Sequence, residues 1–151
     1  MTPDERLADL GLALPPVAPP VAAYVPAVRS GSYVYTSGQL PIVDGELAVT
    51  GRVGDEVDPD DAKQAARTCV LNALAAVKSV AGDLSAVTRI VKVVGFVNSS
   101  PDFASQPQVV NGASELLGDV FGDAGQHARS AVGVAALPLN APVEVELIVE
   151  V

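Results

Sequence analysis

Two charged residues near the end of the chain, Arg129 and Glu144, have the chemistry to handle a small acid. A guanidinium grips a carboxylate through two parallel hydrogen bonds and fixes a small substrate in one pose. On residue type alone, with eighteen Asp and Glu in the chain, a structural ion pair is the plainer assignment for Arg129. A glutamate in a cleft can orient water or shuttle a proton, especially with a raised pKa. Glu144 could do that work, but it shares the polar face of one strand with Glu146 and Glu150, and on residue type a solvated acidic face is the plainer assignment. Ser37-Gly38 has no nucleophile surroundings: there is no Gly-x-Ser-x-Gly elbow, and the chain has one histidine. Its use is backbone amides approaching an anion, with Gly38 permitting close contact; a plain strand end accounts for it almost as well. His127 closes the loop 122–126 as a structural histidine, and its closeness to Arg129 leaves an acid/base role open. Tyr24 suits either a hydrogen bond in a cleft or interface packing. Cys69 sits in an apolar helical stripe and reads as a small core residue. One histidine without a cysteine cluster makes no zinc site.

The chain that must position these groups has 151 residues, enough for one domain with a real core and no metal or disulfide staple. Its net charge of −9 and its scattered six arginines and three lysines argue against nucleic acid as a partner. Aromatics at 4% leave no base-stacking platform. The apolar tract 17–28 is cut by Pro19, Pro20 and Pro26 and is too short to span a bilayer, so no membrane partner is expected. Asp4, Glu5 and Asp9 stand where a secretory signal would be basic. A single cysteine agrees with a reducing compartment, and the expected location is cytoplasmic. The high apolar content, 49%, points to surface that a second subunit would cover.

Thr2-Pro3-Asp4-Glu5 predicts a capped helix carrying Leu7 and Leu10, followed by a stiff Pro-rich linker through Pro15, Pro16, Pro19 and Pro20. Residues 1–20 are therefore expected to be an appended arm, dispensable for the fold of a domain at 21–151. Strands are predicted at 22–29 and 33–37, with Asp44-Gly45 turning a hairpin between 39–42 and 46–49. Asp58-Pro59 opens a long helix that Gly82 stops. A strand over 87–97 is apolar on both faces, with Ile90, Val94 and Phe96 opposing Val91, Val93 and Val97. A helix from Phe103 or Pro107 to Phe121 and strands at 129–137 and 143–151 complete the order ββ(ββ)αβαββ. The fold class is α/β: a mixed sheet of about six strands with two long helices. Those helices can cover only one face. Sheet-to-sheet association between identical subunits in a closed ring would dry the other.

Several of these segments resemble one family. Thr36-Ser37-Gly38-Gln39-Leu40-Pro41 is similar to the T-S-G-Q-x-P segment of the RidA/YjgF reactive-intermediate deaminases, also labelled L-PSP endoribonucleases. Ala128-Arg129-Ser130-Ala131-Val132 resembles the family's A-R-S-x-V segment. Leu137-Pro138 followed by Val143-Glu144-Val145-Glu146 resembles its ending, and Val110-Asn111-Gly112-Ala113 its V-N-x-x stretch. The four motifs run in order from about residue 22 to 151.

The resemblance implies a chorismate-mutase-like homotrimer with clefts between subunits. It also implies cofactor-free hydrolysis of enamines or imines such as 2-aminoacrylate to keto acids and ammonia. By the same resemblance Arg129 holds the substrate carboxylate and Glu144 positions the hydrolytic water. Ser37 and Gly38 form the loop beside the substrate, and Tyr24, Asn111 and Ala131 line the cleft; His127 joins them as a substrate-binding candidate through its closeness to Arg129. Ala131 stands where many members have cysteine, and His127 where Pro or Ala is usual, which points to a divergent subgroup. A non-catalytic trimer binding small metabolites in the same clefts is the rival expectation. The ribonuclease label gains no support from the acidic charge. If the strands of Arg129 and Glu144 formed a simple hairpin turning near 138–140, the two would sit about 15 Å out of step. Either the strands are not direct neighbours, or the site joins Arg129 of one subunit to Glu144 of another.

Overall fold

The computed structural model describes residues 1–17, 19 and 22–151, so the expected junction at Pro20 and Val21 lies outside the described residues. Helix α1 (Pro3–Asp9) begins with a reciprocal cap. The Glu5 amide donates to Thr2 Oγ1 at 3.1 Å and the Thr2 amide donates to the Glu5 carboxylate at 2.8 Å. Strands β1 (Ala27–Ser30) and β2 (Tyr33–Thr36) follow. Asp44 and Gly45, both at positive φ, turn β3 (Ile42–Val43) into β4 (Glu46–Leu47). Helix α2 (Pro59–Ala81) starts where the Asp60 amide donates to the Asp58 carboxylate at 2.8 Å and ends at Gly82. Then come β5 (Arg89–Asn98), α3 (Gln106–Phe121), β6 (Ala128–Val134) and β7 (Val143–Glu150).

Five strands share one sheet in the order β1-β2-β7-β5-β6, and only the β5–β6 pair is parallel. Strands β3 and β4 form a separate ribbon, so the seven strands do not make one sheet of six. The reason lies at Pro41: it has no N–H to donate, so pairing with β7 stops at the single bridge Gln39–Val145. Strand β5 separates β6 from β7, so the strands of Arg129 and Glu144 are not direct neighbours.

Val143, Val145, Leu147 and Val149 alternate along β7 and are buried against the helices. On β5 the expected faces are corrected by a bulge between Ile90 and Lys92. The extra residue shifts the pleat by one. Ile90 therefore joins Val93 and Val97 under the helices, while Val94 and Phe96 face the other way. That other face carries Tyr35, Ile148, Val94, Phe96 and Val132, and among the described residues no helix covers it; Tyr35 and Val132 are each 45% exposed.

Two glycines seat α3. A Cβ on Gly112 would strike the Lys63 carbonyl of α2, and one on Gly95 would enter the Val110 side chain. Helix α3 thus lies unusually close to both α2 and β5. Helix α1 in turn packs on α3, with Leu7 buried and Lys78 paired to Asp4 at 3.3 Å. The arm's helix is docked on the domain and adds to its core.

Deleting residues 1–20 is expected to leave the domain folded but less stable by about 2–5 kcal/mol, with Leu7→Ala alone accounting for most of the loss. Gly112→Ala should cost more than about 2 kcal/mol, because the obstacle is backbone. Urea unfolding of the three variants checks both expectations.

Candidate functional site

Arg129 is the second residue of the edge strand β6 and pairs in register with the buried Val93, so it shares the helix-side face. Helix α3 runs beside it. Arg129 Nη1 donates to Asn111 Oδ1 at 2.7 Å and to Ser114 Oγ at 3.2 Å. Those two bonds use both Nη1 hydrogens. Nε and Nη2, whose parallel N–H groups match a carboxylate, hold no protein partner among the described residues. The ion pairs among the described residues are Lys63–Glu115 and Lys78–Asp4, so Arg129 is not the structural ion pair that residue type alone favours. His127 Nε2 lies 2.8 Å from Ser114 Oγ, and its Nδ1 lies 2.6 Å from the Gly125 carbonyl. Ala131, two residues past Arg129 and in register with Gly95, lies on the same face. This first group therefore comprises Arg129, Asn111, Ser114, His127 and Ala131.

The Thr36–Gln39 segment builds a second group. Regular pairing of β2 with β7 ends at Tyr35–Ile148. Thr36 Oγ1 then accepts from the Leu147 amide at 2.9 Å, filling the gap with a side chain. Ser37 Oγ donates to the Val25 carbonyl at 2.6 Å, and Gln39 resumes backbone pairing with Val145. Between them Gly38 lies directly beneath Glu144, where a Cβ would overlap the carboxylate. Asn72, buried on α2, donates to the Leu40 and Ile42 carbonyls at 3.0 Å each and ties the loop down. Tyr24 precedes Val25, the partner of Ser37, and is 46% exposed. Ser37, Gly38 and Glu144 thus belong together, with Tyr24 on the adjoining segment.

The two groups do not meet within one chain. Glu144 pairs with Phe96, and Phe96 with Val132, on the uncovered face; Arg129 is on the other. Two strand spacings, about 10 Å, and a three-residue offset of about 10 Å also separate them.

The environment of Glu144 is consistent with acid/base work. Partial burial, and then the negative charge of Glu146, hold its carboxyl above the usual carboxylate range. Cys69 is fully buried and its thiol is pushed well up by that burial, so it is an inert core residue. Among the described residues no group of three or more His, Cys, Asp and Glu is placed to hold a metal ion. No helix among them is long and apolar enough to cross a membrane. Sequence reasoning missed Ser114 and Asn72. Ser114 was signalled by its position: a polar residue three places after Asn111 shares its helix face. Asn72 lies in an apolar run, and only the loop fold reveals its acceptors.

A family model for YjgF/chorismate mutase-like proteins, whose description also carries an endoribonuclease label, matches residues 4–151. The chain belongs to the RidA/YjgF family. Protein TCP17 of Trypanosoma cruzi is 46% identical over 146 residues, covering 96% of this chain and 91% of that protein. A 2-iminobutanoate/2-iminopropanoate deaminase of Dermatophagoides farinae is 36% identical, covering 89% and 91%. The crystal structure of Atu1372 from Agrobacterium tumefaciens, a protein of unknown function, is 49% identical with a TM-score of 0.92, covering 99% and 93%. The RidA/YjgF motifs read in the sequence coincide with the two groups above: T-S-G-Q and the final V-E-V-E build one, A-R-S-x-V and V-N-x-x the other.

The raised Glu144 carboxyl has a consequence for stability. The folded chain holds this proton more tightly than the unfolded chain, so its contribution is greatest at low pH. It is lost as pH rises from the ordinary value near 4.5 through the folded-state value. Glu144→Gln should therefore flatten the fall in stability across that window. Urea unfolding at half-unit pH steps checks it; equal slopes for the two proteins would contradict the burial argument.

Proposed function

We propose that the chain is an imine/enamine deaminase whose sites form between the subunits of a homotrimer. The observation that carries this reading is the division of labour within one chain. An arginine edge free to take a carboxylate lies on one side of the sheet. The loop glycine and the glutamate lie on the other, beside an apolar face that needs a partner. A second copy that docks on that face and overlaps the edge strand β6 would bring its Gly38 and Glu144 to the margin of the sheet where the first copy's Arg129 lies. The likeness to a deaminase of 2-iminobutanoate and 2-iminopropanoate, 36% identical, supports the reaction class.

The chemistry follows from the groups. Nε–H and Nη2–H of Arg129 take the carboxylate of a 2-imino acid and fix its C=N carbon. Glu144 of the adjoining copy accepts a proton from water as the oxygen adds to that carbon. Returning that proton to the imine nitrogen gives a carbinolamine with OH and NH2 on one carbon. Glu144 then takes the hydroxyl proton and passes it to the nitrogen; the C–O bond becomes C=O as the C–N bond breaks, leaving a 2-keto acid and ammonia. Water supplies the oxygen, and no electron changes hands. Ala131 in place of cysteine is compatible with this scheme, which uses no thiol.

Sedimentation at micromolar concentration should give about three subunits. Freshly generated 2-aminoacrylate should release ammonia with the wild-type protein. Arg129→Ala should lower kcat/KM about a hundredfold or more, and Glu144→Gln should lower kcat by a similar factor. Mixing Arg129→Ala chains with Glu144→Ala chains should restore some activity, because mixed trimers regain intact clefts. Mixtures as dead as their parents would place the whole site in one subunit. Keto-acid binding without ammonia release would favour the non-catalytic metabolite-binding trimer.

A further inference from the structure

We propose that Ser114 and His127 form a relay that positions Arg129 for a carboxylate, an inference that rests on the deaminase reading of that arginine. With His127 as the neutral imidazole, donor and acceptor chemistry fixes the direction of every hydrogen bond in the relay. Arginine only donates, so Ser114 Oγ accepts from Nη1 at 3.2 Å. The serine hydrogen is then available for His127 Nε2, 2.8 Å away. The Gly125 carbonyl only accepts, so His127 Nδ1, 2.6 Å from it, carries the imidazole proton. Arg129 to Ser114 to His127 to Gly125 is thus one chain of donors running in a single direction. Asn111 Oδ1 takes the other Nη1 hydrogen at 2.7 Å.

Two features set this arrangement apart from a chance polar cluster. First, every acceptor is neutral: an amide, a hydroxyl, an imidazole and a peptide carbonyl. A carboxylate partner would hold the guanidinium as firmly but would cancel its charge, and a substrate carboxylate would then bind a neutral pair. The relay immobilises Arg129 and leaves its full positive charge for the ligand. Second, the relay occupies only Nη1. It leaves the Nε and Nη2 edge without a protein partner among the described residues while holding the guanidinium in place, so binding does not have to order a long, flexible side chain. Ser114 and His127 are consequently positioning residues and need not touch the substrate.

The chain has one histidine, so its imidazole nitrogens give an uncrowded NMR spectrum. In the wild-type protein Nδ1 should be protonated and Nε2 should be a bare acceptor, with Ser114→Ala shifting the Nε2 signal. Pyruvate and the uncharged pyruvamide serve as probes of carboxylate recognition. Ser114→Ala should weaken pyruvate binding about tenfold and leave the weaker pyruvamide binding unchanged. Ser114→Thr should restore it, and Ser114→Ala/His127→Ala should be no weaker than Ser114→Ala alone. Should Ser114→Ala fail to assemble, His127→Ala carries the same test, with a pyruvate-specific loss of about threefold. A proton on Nε2 in the wild-type protein would overturn the relay. So would pyruvate affinity unchanged in Ser114→Ala when Arg129→Ala has lost it. Pyruvate binding that survives Arg129→Ala would remove the carboxylate reading itself, and the relay with it.

Discussion

The close seating of α3 is the constraint on which the arginine side of the molecule depends. Gly112 lets its backbone rest against the Lys63 carbonyl, and Gly95 lets Val110 sink into the sheet. Asn111 and Ser114 lie on either side of that contact along the helix, so the depth of the helix sets the height of their oxygens above β6. A larger residue at either glycine would lift both acceptors from Arg129 together. Packing density thus becomes site geometry: a few tenths of an ångström in a helix–helix contact decide whether a guanidinium is held or free.

The glutamate side is built by interrupting a regular element. A continuous β2–β7 ladder would place ordinary backbone where Ser37 and Gly38 now turn. Thr36 removes the cost of that interruption by supplying a hydroxyl to the Leu147 amide, which would otherwise be a buried donor without a partner. Asn72 does the same for two carbonyls from the helix side. The T-S-G-Q segment is therefore first a device for leaving and rejoining a sheet, and its value as a loop beside a ligand follows from that.

Much of this was legible in the chain itself, for local reasons. Thr2, Asp58 and Gly82 mark helix ends through hydrogen bonds and backbone conformations that involve only a few neighbouring residues. The strict alternation of β7 likewise needs no tertiary information. What escaped was set at a distance. The bulge at Val91 is invisible because the strand is apolar on both faces, so either phase fits the pattern. Pro41 separates β3 from the sheet only because β7 happens to be its neighbour. Arg129 could be named as a carboxylate ligand by resemblance. That its partners are neutral, and that one of them is Ser114, required the packing of a helix against a strand residue fifteen or more positions further on. The separation of Arg129 from Glu144 was half visible: residue counting excluded a shared hairpin, but not which strand intervened.

The bulge in β5 also shapes how the sequence can change. It lies upstream of the residues that pair with Arg129 and Glu144, near the point where the chain enters the sheet from α2. Beyond it, Lys92 to Val97 are held in register by β6 on one side and β7 on the other. A residue gained or lost in the connection after Gly82 meets the bulge before it meets that doubly held stretch. The irregularity can widen or close to absorb the change of phase. A change in the length of the α2–β5 connection can therefore leave fixed the alternation that separates the arginine face from the glutamate face.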